Sequence, residues 1–411
     1  MIRLFLALLL PLSVFGQSPQ RKALMVIVDG IPADLLERTP HPQLAAIAEA
    51  GAYRRAYVGG EKGGYTQTPT VSAVSYNSML TGTWVNKHNV WNNSITDPNY
   101  HYPTIFRLVR TLAPEKKLGI YSTWTDNRTK LLGEGLPETG GLSLDYKIDG
   151  FELDKVRFPH DQQSDYINKI DEEVVRQASL SLRQDAPDLS WVYLQYTDDV
   201  GHALGDSEKM KGAIEKMDRQ MGELYQALKY REQYHGEEWL MVVVTDHGRD
   251  IVTGRNHGGQ SQRERTSWMV TNSRELNPYF FVYTPAIVDI FPSVARHLGV
   301  KIPETFAFEL DGVPFVGALS LVDPQVKRVG DKLRIEWTPM AADGELKIHC
   351  ALENAFEKTG RADQYRELGK VALTKGRVEL DLTDDLRKAP LLKVVLEGEK
   401  NTVNRWLIRA Q

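Results

Sequence analysis

Two patterns of apolar and polar positions follow one another along the chain. In the first, unbroken apolar runs alternate with stretches whose apolar residues recur every three or four positions. Residues 23–28 form such a run and end at Asp29-Gly30, and residues 239–244 form another, with Asp246 just beyond it, while residues 118–121 and 191–196 read as two further strands. Runs without polar interruption predict strands covered on both faces. Between them, residues 43–50 (closed by Gly51), 103–112 and 163–183 carry helical spacing. Met210, Ile214, Met217, Met221, Leu224 and Leu228 make a helical stripe that reads as core packing. Helices alternating with buried strands predict an α/β fold, a mostly parallel sheet sandwiched by helices. Ligands of such sheets gather beyond the carboxyl ends of the strands, where Asp29, Asp198 and Asp246 stand.

Near residue 320 the period changes to two. Leu333, Ile335 and Trp337 alternate with polar residues, as do Leu346, Ile348, Cys350 and Leu352, then Val378, Leu380 and Leu382, and residues 394–396 and 406–408 add two short strands. Alternation broken by turn residues predicts a small C-terminal β-sandwich, of immunoglobulin or fibronectin type, over residues 323–411. Cys350, Trp337 and Trp406 are expected to pack its core.

Composition removes several function classes. The 411 residues are 42% hydrophobic and 25% charged with a net charge of −4, which excludes a disordered chain and a strongly basic nucleic-acid surface. The single cysteine excludes a disulfide framework. Met1-Ile2-Arg3, an apolar stretch over residues 4–15 and small residues at Val14 and Gly16 have the form of a secretory signal peptide over residues 1–16. That stretch is shorter than the roughly 20 residues of a membrane span, so the expectation is an exported protein, periplasmic or extracellular, with no transmembrane anchor and a catalytic domain over residues 17–320.

The candidate chemistry lies in three segments that join carboxylates to imidazoles at strand ends: Asp29; Asp198-Asp199-Val200-Gly201-His202; and Asp246-His247-Gly248 followed by His257-Gly258-Gly259. Imidazole with carboxylate suits zinc, whereas magnesium or calcium favours oxygen alone. Two metal ions about 3.5–4 Å apart would clamp the attacking and leaving oxygens of an in-line displacement. Taken singly, each residue has a plainer use, since an Asp after a strand caps helices and forms turns. His41, His101, His160, His235 and His349 are read as structural or surface residues.

In chain order these segments resemble the alkaline phosphatase superfamily, and within it the type I phosphodiesterase/nucleotide pyrophosphatase family. The resemblance is carried by Val28-Asp29-Gly30, by the segment from Thr68 to Thr81-Gly82, by Asp198/His202, Asp246/His247 and His257, and by Thr39-Pro40-His41-Pro42 and Val85-Asn86-Lys87-His88. It spans about residues 22–318. The resemblance implies one zinc held by Asp29, Asp246 and His247 with the oxygen of Ser72, and a second held by Asp198, His202 and His257. It also implies that Ser72, ten residues before Gly82, attacks phosphorus to give a phospho-enzyme. Thr70 is the alternative nucleophile, disfavoured by its spacing to Thr81-Gly82. The chain departs from the family pattern in three places. Ser72 replaces a threonine. Ser75 stands where an oxyanion-donating asparagine is usual, with Asn77 nearby, so that either is a candidate donor. Arg249 stands where a methionine is frequent, and Arg249 or Arg255 is expected either to meet a charged substrate or to form a surface ion pair.

The function so implied is an exported two-zinc phosphoric-ester hydrolase, first a phosphodiesterase or nucleotide pyrophosphatase acting on a phosphate-ester small molecule, nucleotides included. A phosphomonoesterase on the same metal core is the nearest alternative, followed by a sulfatase, a phosphonate hydrolase and a non-catalytic surface-binding protein. The sulfatase pattern needs a Pro and an Arg after the nucleophile, and Ser72-Ala73-Val74-Ser75-Tyr76 has neither. Specificity is expected in the loops over residues 59–68 and 125–158.

Overall fold

The structure, a computed structural model, describes residues 19–408, so the leader-like residues 1–16 lie outside the described part. Strands β1 (Gln20–Val28), β2 (Ala52–Tyr57), β3 (Leu118–Ser122), β4 (Tyr146–Ile148), β5 (Leu189–Leu194), β6 (Glu237–Val244) and β7 (Thr266–Thr271) form one sheet in the order β2-β7-β6-β1-β5-β3-β4. From β6 to β4 in that order the strands are parallel. β7 runs antiparallel on β6, and β2 antiparallel on β7.

Both faces of β1 are buried, which is why its apolar run is continuous. Ala23, Met25 and Ile27 pack with the helices Ser72–Thr81, Ile105–Leu112 and Ile290–His297. Leu24, Val26 and Val28 pack on the opposite face with the helices Pro42–Ala50, Asp165–Gln184 and Glu208–His235. The methionine and leucine stripe read from the sequence is the buried side of Glu208–His235.

One strand ends earlier than the expected residue 196. β5 stops at Leu194, and Tyr196 opens the helix Tyr196–Leu204. The cause is Asp171, whose carboxylate accepts the backbone N–H groups of Gln195 (3.2 Å) and Tyr196 (2.8 Å) and so satisfies donors that would otherwise be orphaned at a helix start. Asp198 and His202 therefore share one face of a helix, four residues apart.

The C-terminal part holds β8 (Leu321–Val329), β9 (Lys332–Pro339), β10 (Glu345–Ala351), β11 (Arg366–Ala372), β12 (Arg377–Asp381), β13 (Leu391–Glu397) and β14 (Thr402–Ile408). They form two antiparallel sheets, β11-β10-β13-β14 and β12-β9-β8. Leu333, Ile335, Trp337, Leu346, Ile348 and Cys350 are buried among them. This interior is continuous with that of the large sheet.

Trp406 does not pack that interior as expected. Its ring lies against Lys87 (5.4 Å), Lys393 (5.1 Å) and Tyr65 (5.2 Å), facing the α/β part, because β14 is an edge strand and turns alternate side chains toward its neighbour. Among the described residues no helix is long and apolar enough to cross a membrane.

Candidate functional site

Three strand ends converge. Asp29 follows β1, and its backbone N–H donates to Leu194 O of β5 at 3.1 Å. Gly30 turns with φ +66°, and its N–H donates to Asp246 Oδ1 at 3.0 Å, joining the ends of β1 and β6. Asp198 and His202 arrive on the helix after β5, while Asp246, His247 and Arg249 follow β6. The loop carrying His257 is tied to the segment that leads into the helix Ser72–Thr81: His257 Nδ1–H donates to Thr70 O (2.9 Å), and Thr70 Oγ1 donates to Gly259 O (2.9 Å) while accepting from Gly258 N–H (3.0 Å). The Thr70 hydroxyl is thus committed to holding that loop.

The sequence-predicted ligands come together in two groups. Ligand atoms of Asp29, Asp246 and His247 lie within 4.8 Å of one another, as do those of Asp198, His247 and His257. His202 Nε2 is 3.3 Å from Asp198 Oδ2 and 3.1 Å from His257 Nε2. The His247 and His257 rings stack at 3.6 Å between centroids. His247 Nδ1–H donates to Gly248 O at 3.0 Å, which leaves the Nε2 lone pair facing inward. That atom lies 3.2 Å from Asp246 Oδ2, 3.4 Å from Asp29 Oδ1 and 3.3 Å from Ser72 Oγ.

Burial dominates the electrostatics. It raises the Asp29 carboxyl well above its ordinary range, with the charges of Asp198 and Asp246 adding to the effect. It pushes Asp246 up to about 7. It also draws His247 well down and His257 down, so both rings stay neutral, the form that binds metal. Asp198 behaves differently: burial pulls upward, but the hydrogen bond with His202 and the charge of Arg249 outweigh it and hold the carboxyl below its usual range.

Asp29 Oδ1 and Asp246 Oδ2 are buried and have no hydrogen-bond partner among the described residues. Two orphaned carboxylate oxygens, a bare imidazole nitrogen and a serine hydroxyl at one point fit a divalent cation of the kind that accepts mixed nitrogen and oxygen donors. A third acid–imidazole group (Glu238, Glu275 and His297) differs, because Arg21 bridges both of its carboxylates, at 3.3 Å and 2.7 Å.

Ser72 is the first residue of the helix Ser72–Thr81, directed at His247 and lining a cavity of about 290 Å³. Ser75 and Asn77 lie further along that helix, buried and away from the cavity wall. Asn93 lines the wall instead. Its Oδ1 accepts the Ala73 N–H at 3.0 Å, which orients the amide across the helix N-terminus. Its position on an irregular loop left no sequence signal. Tyr76 and Tyr193 also went unread, although both donate to Asp29 Oδ2 (Tyr193 at 2.8 Å), and Tyr76 sits one helical turn from Ser72. Arg249 is not at the surface and does not line the cavity. It is fully buried and pairs with Asp198, whereas Arg255 is exposed.

Of the two loops expected to set specificity, residues 125–158 reach the cavity through Glu152, beside Trp124, His160 and Tyr166. Glu152 Oε1 accepts the Thr125 N–H at 2.6 Å, and Oε2 is buried without a partner. Residues 59–68 line a separate cleft against β14.

The model of the family described as type I phosphodiesterase/nucleotide pyrophosphatase matches residues 23–288. A Caenorhabditis elegans protein named ectonucleotide pyrophosphatase/phosphodiesterase C27A7.1 is 24% identical over 230 residues, 55% of this chain but 25% of that protein, so the chain spans about a quarter of the curated relative it matches. Among solved structures, Ps i-CgsB in complex with k-i-k-neocarrahexaose aligns with a TM-score of 0.52 at 16% identity, over 79% of this chain and 84% of that one, and it shares the fold. The murine ectonucleotide pyrophosphatase/phosphodiesterase 5 in complex with AMP aligns with a TM-score of 0.47 at 14% identity, over 69% of this chain and 96% of that one. With the family model covering well over half of its length, the chain belongs to the type I phosphodiesterase/nucleotide pyrophosphatase family.

Proposed function

We propose that the protein is an exported, metal-dependent phosphodiesterase that works through a phospho-Ser72 intermediate. The observation that carries this reading is the meeting of six predicted ligand side chains, two of them with orphaned buried carboxylate oxygens, and the Ser72 hydroxyl beside them. Asp29, Asp246 and His247 would hold one zinc ion and Asp198, His202 and His257 the other. Bound there, the cations would lower the pKa of the attacking hydroxyl and neutralise charge on the phosphoryl oxygens.

The chain's own residues supply the rest. Ser72 Oγ attacks phosphorus, the P–O bond to the leaving alcohol breaks, and water then cleaves phospho-Ser72 to regenerate the hydroxyl. The phosphoryl group lies at the N-terminus of a ten-residue helix, whose free N–H groups and dipole favour an anion. The Asn93 amide adds a donor that is already oriented by Ala73.

A diester is favoured over a monoester by the cavity wall. Its residues, which include Asn93, Trp124, Glu152, His160, Tyr166 and Gln195, contain no lysine or arginine. The guanidinium closest to the acids, Arg249, is already bound to Asp198. Among the described residues lining this wall a monoester dianion therefore meets no free side-chain cation, and Glu152 repels it. Export is supported by the basic start and the apolar stretch over residues 4–15.

The test is hydrolysis of bis-(p-nitrophenyl) phosphate and p-nitrophenyl phosphate, each with and without chelator. The expected result is diesterase activity exceeding monoesterase activity, lost with chelator, restored by zinc, and abolished in Ser72→Ala. Activity that survives both chelation and Ser72→Ala would overturn the reading.

A further inference from the structure

The two groups of acids differ in what already occupies their oxygens. In the first, Asp29 Oδ1 and Asp246 Oδ2 both lie near His247 Nε2, at 3.4 Å and 3.2 Å, and neither has a hydrogen-bond partner among the described residues. In the second, the single carboxylate is taken. Arg249 Nη2 donates both to Asp198 Oδ1 and to the Asp198 backbone carbonyl (2.9 Å for the latter). The guanidinium is locked by two further bonds, from Nε to Gly30 O at 2.9 Å and from Nη1 to Arg255 O at 3.0 Å. Arg249 is fully buried.

Two glycines make this placement possible. A Cβ on Gly201 would fall on the guanidinium, and one on Gly30 would fall on both Asp198 Oδ1 and Arg249 Nη2. Gly201 lies within a helix, where glycine is less favourable than alanine.

We propose that Arg249 makes the two cation positions unequal. The Asp29/Asp246/His247 position presents two unpaired carboxylates to a cation, whereas the Asp198/His202/His257 position presents one carboxylate already neutralised by a guanidinium. The first takes its ion tightly. The second has one oxygen of Asp198 left to offer, together with two imidazoles, and binds its ion weakly and exchangeably. When that ion is absent, Arg249 keeps the buried Asp198 paired, so the one-ion form is a stable state of the protein. Arg249 is thus a positioning residue that acts through Asp198. The inference rests on the proposed metal-dependent reading, and its test separates the two.

The full chain is stripped with chelator, freed of chelator, and titrated with zinc alone in a calorimeter. Zinc retained after dialysis is counted by mass spectrometry. The expected result is two binding steps, one zinc retained per chain, and a second site at least about tenfold weaker, the effect of one adjacent positive charge on a divalent ion at intermediate dielectric. In Arg249→Met, or in Gly201→Ala, which displaces the guanidinium without removing it, the second step moves toward the first by a similar factor. Arg249→Lys keeps the charge and preserves the inequality. Two equal sites in the unaltered protein would overturn the inference while leaving the metal-dependent reading standing, and this measurement needs no variant to fold. An unchanged second step in folded Arg249→Met and Gly201→Ala would also overturn it. No zinc binding at all would overturn the inference together with the metal-dependent reading.

Discussion

Replacing Asp246 by Asn should stabilise the metal-free protein and destabilise it relative to the unaltered chain once zinc is present. Asp246 is fully buried; its Oδ1 accepts the Gly30 N–H at 3.0 Å, and its Oδ2 has no partner. An asparagine keeps the bond to Gly30. In place of the orphaned oxygen it puts an amide N–H next to Asp29, whose Oδ1 is orphaned too. An unsatisfied buried polar atom costs about 1–3 kcal/mol, and more for a charged group. Asp246→Asn should therefore gain on that order in chelator, a melting point higher by a few degrees. Zinc reverses the order. A ligand at a hundredfold its dissociation constant adds about 2.7 kcal/mol to the protein that binds it, and the variant, with a donor where a ligand oxygen was, gains little. Thermal denaturation of both proteins in chelator and in zinc reads the crossover. If Asp246→Asn is less stable than the unaltered protein in chelator, or if zinc raises both melting points equally, the orphaned oxygens are not a cation site.

Asn93→Ala should lower kcat by about 10²- to 10³-fold on a diester, as expected for loss of one oriented oxyanion donor, with KM and zinc content nearly unchanged; steady-state kinetics with metal analysis check it. Lys393→Ala should cost about 3–5 kcal/mol, because it leaves the buried Glu309 carboxylate unpaired, and Glu309→Gln in the same chain should recover much of that loss; denaturant unfolding of the two single variants and the double variant measures the coupling.

The acids and imidazoles were legible because each follows a strand whose apolar pattern is unambiguous. β1 and β6 bury nearly every residue, and the first acidic residues after them, Asp29 and Asp246, fall at the sheet's carboxyl edge. Asp198 was placed at the same edge, although its support is a helix. The early end of β5 depends on Asp171, which lies on a distant helix and has no local signature at Gln195. Arg249 was misplaced for a related reason. Arginine is rarely buried, and the space that admits it is cleared by Gly30 and Gly201, which are far from it in sequence. Asn93 was missed because its role depends on one backbone N–H, that of Ala73, brought to it by folding. What the local pattern encodes is the strand and its end; what it omits is the partner each side chain finds across the fold.

That distinction bears on the C-terminal sheets, which read from sequence as a separate appendage. Lys393 of β13 pairs with Glu309, and Arg405 of β14 pairs with Glu61. Two residues beyond Glu309, Asp311 donates its N–H to Gly82 O at 2.9 Å, accepts the Trp84 N–H at 2.9 Å and pairs with Lys87 at 2.7 Å. Gly82 is the C-cap of the helix that begins with Ser72. The C-terminal strands therefore hold, through Glu309 and Asp311, the far end of the element whose near end carries the hydroxyl. A helix fixed at its C-terminus cannot slide along its axis, and the 3.3 Å separation of Ser72 from His247 is set by that axial position. Loosening the Lys393–Glu309 pair should accordingly be felt at Ser72, as a fall in kcat that accompanies the loss of stability, because the bracing and the proposed attacking hydroxyl sit at opposite ends of the same ten-residue rod.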